Sequence, residues 1–245
     1  MLWVPGIPNG TGAVFESACV VGAGRVGKAV AARLGERIPT RTAGRDLDCG
    51  DVDLVVLCVP DAEIPGVAGR IPGEPWIAHT SGSASLAALR GHERRFSLHP
   101  LQTFVRERGP EQLDGAWAAV SGETPEALTA GRSLAELLGL EPFELADESR
   151  ALYHAAAMMA STFVVTLHEV AAGWMRSVGA PAEALKPLTA RTVENDFQHT
   201  GPLVRDDTET VERDAEAVAR FRDHDIVLFM DLVAAERELL HGATS

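Results

Sequence analysis

The order of apolar and polar positions divides the chain into two parts with different periods. In the first part, short apolar runs end in glycine, proline or serine and alternate with segments of helical spacing. Ala18–Val21 is such a run, closed by Gly22, and predicts a buried parallel strand. Arg25–Arg37 follows with Val26, Val30, Ala31 and Leu34 at helical spacing. Further strands are expected over Thr40–Arg45, Asp53–Pro60, Trp76–Thr80, Phe96–His99 and Ala116–Ser121, with helices over Ala62–Arg70, 83–95 and Thr124–Leu138. This alternation predicts an α/β domain with a doubly wound parallel sheet.

Beyond residue 146 the period is helical to the end: Asp147–Val178, Pro181–Gln198, Thr208–Ala219 and Asp223–His241. Gly179 followed by Pro181 is a stop-then-start signal, and Pro187 is expected to kink or split the helix it falls in. The expected organisation is a dinucleotide-binding domain over 1–146, with 1–12 a loose leader rich in glycine and proline. An all-α domain over 147–245 follows, with no flexible linker.

Composition narrows the function classes. With 46% hydrophobic and 23% charged residues in 245, general disorder is excluded. The net charge is −13, and no basic stripe offsets it, so a nucleic-acid partner is not expected. Cys19, Cys49 and Cys58 lack metal-site spacing and are expected as small buried thiols of a reducing cytoplasm, with no metal bound. No signal peptide is read at the N-terminus. The longest weakly polar run, Ala155–Leu167, is closed by His154 and His168 and is too short to span a bilayer. These features predict a soluble cytoplasmic chain with no membrane partner.

Gly22-Ala23-Gly24-Arg25-Val26-Gly27 fits GxGxxG between the first strand and the first helix. The first glycine permits the tight turn, the second lets the backbone approach a pyrophosphate, and the third lets helix and strand pack closely. The helix N-terminus then offers free N–H groups to the phosphates. About twenty residues on, Arg45 at the end of the second strand favours NADP by accommodating a 2′-phosphate, with Arg41 or Arg25 as helpers, while Asp46 leaves NAD open.

Ligands of such sheets lie beyond the carboxyl ends of the strands. Val59 and Pro60, Thr80 and Ser81, and His99 with Gln102 occupy three of those ends. Val59, Pro60 and Thr80 are expected against the cofactor. Pro100 holds His99 extended. His99 reads either as a proton donor or as a histidine that shapes its turn, and Ser81 either as a substrate ligand or as a helix N-cap. On the first long helix His154, Ser161 and His168 recur every seven residues, a stripe roughly 21 Å long that reads as site or as core. His154 and Ser161 are the pair nearer the domain junction, at the helix start.

VVGAGRVG, DLVVLCVPD, HTSG, SLHPLQTF, LYHAAAMMAS and TGPLVRDD occur in this order. Together they resemble a bacterial family that pairs a Rossmann-like NAD(P)-binding domain with a helical domain of unknown function. That family is similar to pyrroline-5-carboxylate reductases, to F420-dependent NADP oxidoreductases and, more distantly, to 6-phosphogluconate dehydrogenases. The resemblance implies an NADP-dependent reductase of a small oxo acid or imine, with a helical domain used for dimerisation. Some members are thought to be alternative ketopantoate reductases. The 6-phosphogluconate-like and ketopantoate reductases use a lysine on the first long helix, and Leu152–Ala171 has none, so the proton donor must differ. Thr162 also stands where the family often has asparagine.

These readings converge on a reductase moving hydride from NADPH to a small carbonyl or imine compound. His99 or His154 would be the proton donor. Thr80, Ser81, Gln102 and Ser161 are candidate hydrogen-bonders, and Arg205 is a candidate carboxylate clamp. A non-catalytic NADP(H) sensor is the rival reading, motivated by the missing lysine, and a flavin or F420 co-substrate is a third. The apolar surplus of the last helix, Ile226 to Leu240, suggests a homodimer.

Overall fold

The computed structural model describes residues 14–242. The chain divides into two compact units, one through Thr166 and one from Leu167. The first unit holds a seven-stranded sheet in the order β2-β1-β3-β4-β5-β6-β7. Its strands are β1 Ala18–Val21, β2 Thr40–Ala43, β3 Leu54–Leu57, β4 Trp76–His79, β5 Arg95–Pro100, β6 Trp117–Gly122 and β7 Glu141–Glu144. The helices of this unit are α1 Arg25–Gly35, α2 Ile64–Ala68, α3 Pro125–Leu138 and α4 Arg150–Ala160.

The expected Rossmann-like architecture is present, with one difference in direction. β1 to β5 are parallel, but β6 runs antiparallel to β5, and β7 is parallel to β6. A parallel return needs a long crossover, usually a helix, whereas the β5–β6 connection contains only the 3-10 turn Pro110–Leu113. α3 supplies such a crossover between β6 and β7. Thr124 caps it by accepting a hydrogen bond from the Ala127 amide at 3.2 Å, Pro125 opens it, and Gly139 at φ +76° ends it.

The two faces of the sheet differ. Ala18, Val20, Val56, Ala78, Phe96, Leu98, Ala118 and Val120 point to one face, where they pack with Val30 and Leu34 of α1 and Ala130, Leu134 and Leu138 of α3. On the other face Cys19, Val21, Val55, Leu57 and Ile77 pack with Ile64 and Ala68 of α2. That second face turns polar beyond Ile77. His79, Ser97 and Ser121 are neighbours across β4, β5 and β6, and all three are buried. His99, two residues beyond Ser97, shares their face.

Several expected helices are shorter than their periodicity suggested. Ala62–Arg70 is a 3-10 turn followed by the five-residue α2, and 83–95 contains only the 3-10 turn Leu86–Leu89. The expected helix Asp147–Val178 is interrupted at Ser161, which separates α4 from α5, Thr162–Ser177. β7 ends at Glu144, and among the described residues beyond it the regular elements are helices, while the compact units part between Thr166 and Leu167. By length and composition, the helical run Asp147–Ser177 would suffice to cross a membrane.

The cysteine expectation is also corrected. Cys19 in β1 and Cys49 in the loop after β2 form a disulfide, with Cα atoms 5.4 Å apart, and only Cys58 is free. The leader over 1–12 lies outside the described residues.

The second unit consists of α5 beyond Thr166, α6 Leu185–Glu194, α7 Thr208–Phe221 and α8 Asp225–Gly242. Pro187 lies in the first turn of α6 and does not kink it, because a first-turn residue has no intrahelical N–H bond to lose. Trp174 and Phe229 pack edge to face, and the Trp174 indole N–H donates to buried Asp225 at 2.8 Å. Among the described residues of this unit, Ala172, Val211, Val218 and Val233 are the buried apolar side chains.

Candidate functional site

The glycine loop connects β1 to α1 as the motif requires. Gly22 has φ +113°, and a Cβ there would overlap the Cys58 carbonyl of the neighbouring β3 end. A Cβ on Gly27 would overlap the Gly22 carbonyl. These two glycines are therefore fixed by packing. Gly24 is different: it is the N-cap of α1 and a Cβ on it would meet nothing within 4 Å. The first turn of α1 contains no acid, so its N-terminus meets open space with unopposed positive dipole. This cradle fits the pyrophosphate of a dinucleotide, with Gly22, Ala23, Gly24, Arg25, Val26 and Gly27 forming its wall. Val59 lies beside Gly22, its Cγ1 3.4 Å from the ideal Cβ position.

Arg45 is exposed two residues beyond β2. Its carbonyl accepts a hydrogen bond from Arg70 at 2.9 Å, leaving its guanidinium at the loop surface. Arg41 lies against Gly50, and Arg25 donates to the Phe104 carbonyl at 3.3 Å, so Arg25 ties the glycine loop to the segment after β5.

Beyond β5 and along α4 lies a pocket of about 480 Å³, lined among others by His99, Gln102, Tyr153, His154, Ser161 and Thr162. Four of the seven residues read from the sequence as proton donors or substrate ligands, His99, Gln102, His154 and Ser161, thus share one cavity, and Thr80, Ser81 and Arg205 do not line it. Ser81 is buried and turned inward, its Oγ accepting from the Ser83 and Ala84 amides at 3.2 and 2.9 Å. It caps its own turn, and no α-helix follows. Gln102 accepts from the Thr103 amide at 2.8 Å and donates to the Gln112 carbonyl at 3.2 Å. Ser161 donates to the Ala157 carbonyl at 2.6 Å, at the break between α4 and α5. Thr80 is bound to Leu57 through its amide at 3.1 Å, and Pro60 precedes the turn Asp61–Glu63. His168 and Arg205 belong to the second unit.

His99 and His154 come together over Gly82. An ideal Cβ on Gly82 would stand 2.9 Å from His154 Cδ2 and 2.9 Å from both His99 Cε1 and Nε2. Only a residue without a side chain admits both rings. His99 Nδ1 is hydrogen-bonded to the Tyr153 hydroxyl at 2.7 Å, with the two rings edge to face at 5.6 Å. Burial, then the charge of Arg150 and the neighbouring His154, push His99 down to about 4. Burial pushes Tyr153 up to about 12, opposed by Arg150. At neutral pH both groups are therefore uncharged. With Tyr153 donating to Nδ1, the His99 proton sits on Nε2, which faces Gly82 and His154. Such a neutral imidazole can donate a hydrogen bond to a carbonyl oxygen or imine nitrogen.

Tyr153, Gly82 and Arg150 were not singled out by the sequence. Tyr153 is the only tyrosine of the chain and directly precedes His154, which is a usable signal. Gly82 carries no sign of its role outside the HTSG stretch. Arg150 looks like an ordinary helix-surface arginine, but it is 1% exposed.

Residues 116–235 match the family model described as "Domain of unknown function (DUF2520)". No curated protein matches the sequence. Among solved structures, the chain is similar to a Bacteroides fragilis protein named as a candidate NADP oxidoreductase, at 17% identity and TM-score 0.76, over 93% of this chain and 100% of that one. It is similar to the same extent to a protein from Thermotoga maritima, at 22% identity, TM-score 0.76 and the same coverages. A 1-pyrroline-5-carboxylate reductase from Streptococcus pyogenes shares the fold at 14% identity and TM-score 0.57, over 89% and 98% of the two chains. The resemblance drawn from the motifs is thereby borne out at the level of fold and of the helical domain of unknown function.

Proposed function

We propose that the chain is an NADP(H)-dependent reductase of a small carbonyl or imine compound, with a 2-oxo acid of the ketopantoate type as the leading substrate. The observation that carries this reading is the uncharged His99–Tyr153 pair in a 480 Å³ pocket on the same strand-end edge as the glycine cradle. NADPH supplies the hydride. The residues of the chain orient the acceptor and move a proton: Nε2 of His99 donates to the oxygen or nitrogen that gains charge and is reprotonated from solvent, while the Tyr153 hydroxyl donates a hydrogen bond to Nδ1 and so keeps the proton on Nε2. His154 borders the same point and orients the substrate. Exposed Arg45 at the end of β2 supports NADP over NAD, because a guanidinium accommodates the 2′-phosphate.

NADPH oxidation, followed with a panel of 2-oxo acids and cyclic imines while cofactor binding is measured in parallel, tests the reading. Turnover on at least one of them, faster with NADPH than with NADH, is expected. Tight NADPH binding without turnover on any would replace the reductase with an NADP(H)-binding sensor.

The helical unit is proposed to mediate a homodimer. α8 leaves Val227, Leu228, Met230, Leu232 and Leu239 exposed, more apolar surface than a monomer ordinarily presents on one helix. Sedimentation at micromolar concentration is expected to give about twice the mass of the chain, and a single species at 26.0 kDa would end the proposal.

A further inference from the structure

The buried guanidinium of Arg150 is the largest fully buried side chain of the first unit, and no step described above uses it. Burying a charge costs several kcal/mol unless it is well bonded, so its position calls for a reason. Its donors are distributed over two segments. Nε donates to the Ala84 carbonyl at 2.7 Å, Nη2 to the Ser81 carbonyl at 2.7 Å, and Nη1 to Ser121 Oγ at 3.1 Å. Ser121 in turn donates to the Leu145 carbonyl at 2.6 Å. Asp147, whose carboxylate accepts from the Leu86 amide at 3.0 Å, stands 3.8 Å from Nε. The Ser81–Ala84 loop carries Gly82, the floor on which the two histidine rings meet. Arg150 opens α4, and Tyr153 and His154 follow it within one turn.

We propose that Arg150 is the positioning residue of this site: one guanidinium bolts the Ser81–Ala84 loop to the first turn of α4 and so fixes His99 against Tyr153 and His154.

The same placement has an electrostatic consequence. The groups that face His99 are Arg150, Tyr153 and His154 from α4, Asp61 from the turn after β3, and His79 from β4. Asp61 alone favours the imidazolium, and it is already bonded to Ser83 Oγ at 2.6 Å. Arg150 carries the permanent positive charge of the set, and a like charge disfavours protonation. The residue that sets the geometry therefore also keeps His99 neutral, with Nδ1 free to accept a hydrogen bond from the Tyr153 hydroxyl.

The test is the titration of His99 followed by histidine ring NMR on the whole, ligand-free chain, in wild type, Arg150→Met and Arg150→Lys. Wild-type His99 is expected to titrate near 4. Arg150→Met keeps the volume and removes the charge, so the midpoint should rise by about one pH unit or more. Arg150→Lys keeps the charge but cannot span three acceptors. Its midpoint should stay low while the Tyr153–His99 hydrogen bond, read from the Nδ1 shift, weakens.

A wild-type midpoint near the ordinary histidine value of about 6.5 would overturn the proposal, as would an unmoved midpoint in Arg150→Met. Should Arg150→Met fail to fold, Arg150→Lys with a wild-type Nδ1 shift overturns it. In the assay, Arg150→Lys should lower kcat at least tenfold with little change in KM for NADPH. That arm alone rests on the reductase reading. Absence of turnover with a His99 midpoint near 4 would defeat that reading and leave the positioning role standing.

Discussion

Around β1 the functional surface is main chain, whereas around β4 and β5 it is side chain. The cradle consists of three glycines and a helix N-terminus within six consecutive residues, and two of those glycines are fixed by contact with the Cys58 and Gly22 carbonyls. The pocket site draws His99 from β5 and Tyr153 and His154 from α4, with Gly82 beneath the two histidine rings on a loop whose Ser81 and Ala84 carbonyls accept from Arg150 at the start of α4. A backbone site tolerates loss of neighbouring side chains and fails when a side chain is added. A side-chain site fails when a side chain is removed or displaced. The two should therefore respond to opposite kinds of substitution.

The largest expected effect lies in the cradle. Gly24→Val adds atoms to open space, so the fold should survive with an unchanged melting temperature. Binding of NADPH and NADH should weaken by roughly 10³-fold or more, since the pyrophosphate can no longer approach. Gly27→Val is the contrast. Its side chain has no room beneath the Gly22 carbonyl, so the first unit should lose stability, and calorimetry with fluorescence titration separates the two outcomes. If Gly24→Val binds cofactor as the wild type does, the cradle is a structural turn.

In the pocket, His99→Asn should leave NADPH affinity intact and lower turnover by about 10²–10⁴, the range of a positioned acid. His154→Asn should cost less and chiefly in KM. The pH dependence sharpens this assignment. Because His99 is held down to about 4, the rate should show no inflection near the ordinary histidine value and one only near 4. A larger loss of turnover in His154→Asn than in His99→Asn would move the donor to the helix.

How legible each region was in the sequence follows from the same contrast. GxGxxG is contiguous, so its role could be read without knowing the fold. The strand DLVVLCVP and the helix after Thr124 were similarly explicit, because burial on both faces and capping are local signals. The antiparallel β6 was not, since strand direction depends on what the connecting segment fails to form. Neither was the 3-10 turn at Leu86–Leu89, whose first amide is held by the Asp147 carboxylate from 61 residues away and beyond which Gly91 at φ +97° breaks the helical path. His99 and His154 could be named individually because histidine is informative anywhere. Their meeting over Gly82 could not, and Arg150 is invisible from composition because twenty residues of this chain are arginine.

Gly82→Ala probes that meeting directly. A methyl group 2.9 Å from both rings must push one of them, and displacements of this size cost about 10- to 100-fold in rate. The loss should appear in kcat, with cofactor binding unchanged. Wild-type kcat in Gly82→Ala would mean that the rings need not approach each other.

Tyr153→Phe should have the smallest effect. The hydroxyl is the only part removed, and the ring contacts with His99 at 5.6 Å and Phe143 at 6.0 Å are kept, so neither the fold nor the pocket walls should change. What is lost is the partner of His99 Nδ1. A neutral hydrogen bond contributes about 1 kcal/mol, roughly fivefold in rate if all of it is used in turnover. Removing it also lets the imidazole proton move between Nδ1 and Nε2, so part of the population would present an acceptor to the substrate instead of a donor. Turnover should fall about 5- to 20-fold, with NADPH affinity and melting temperature unchanged. A loss as large as that of His99→Asn would make Tyr153 the essential proton source rather than an orienting partner. No loss at all would mean that the pair at 2.7 Å is structural and that His99 needs no orienting partner.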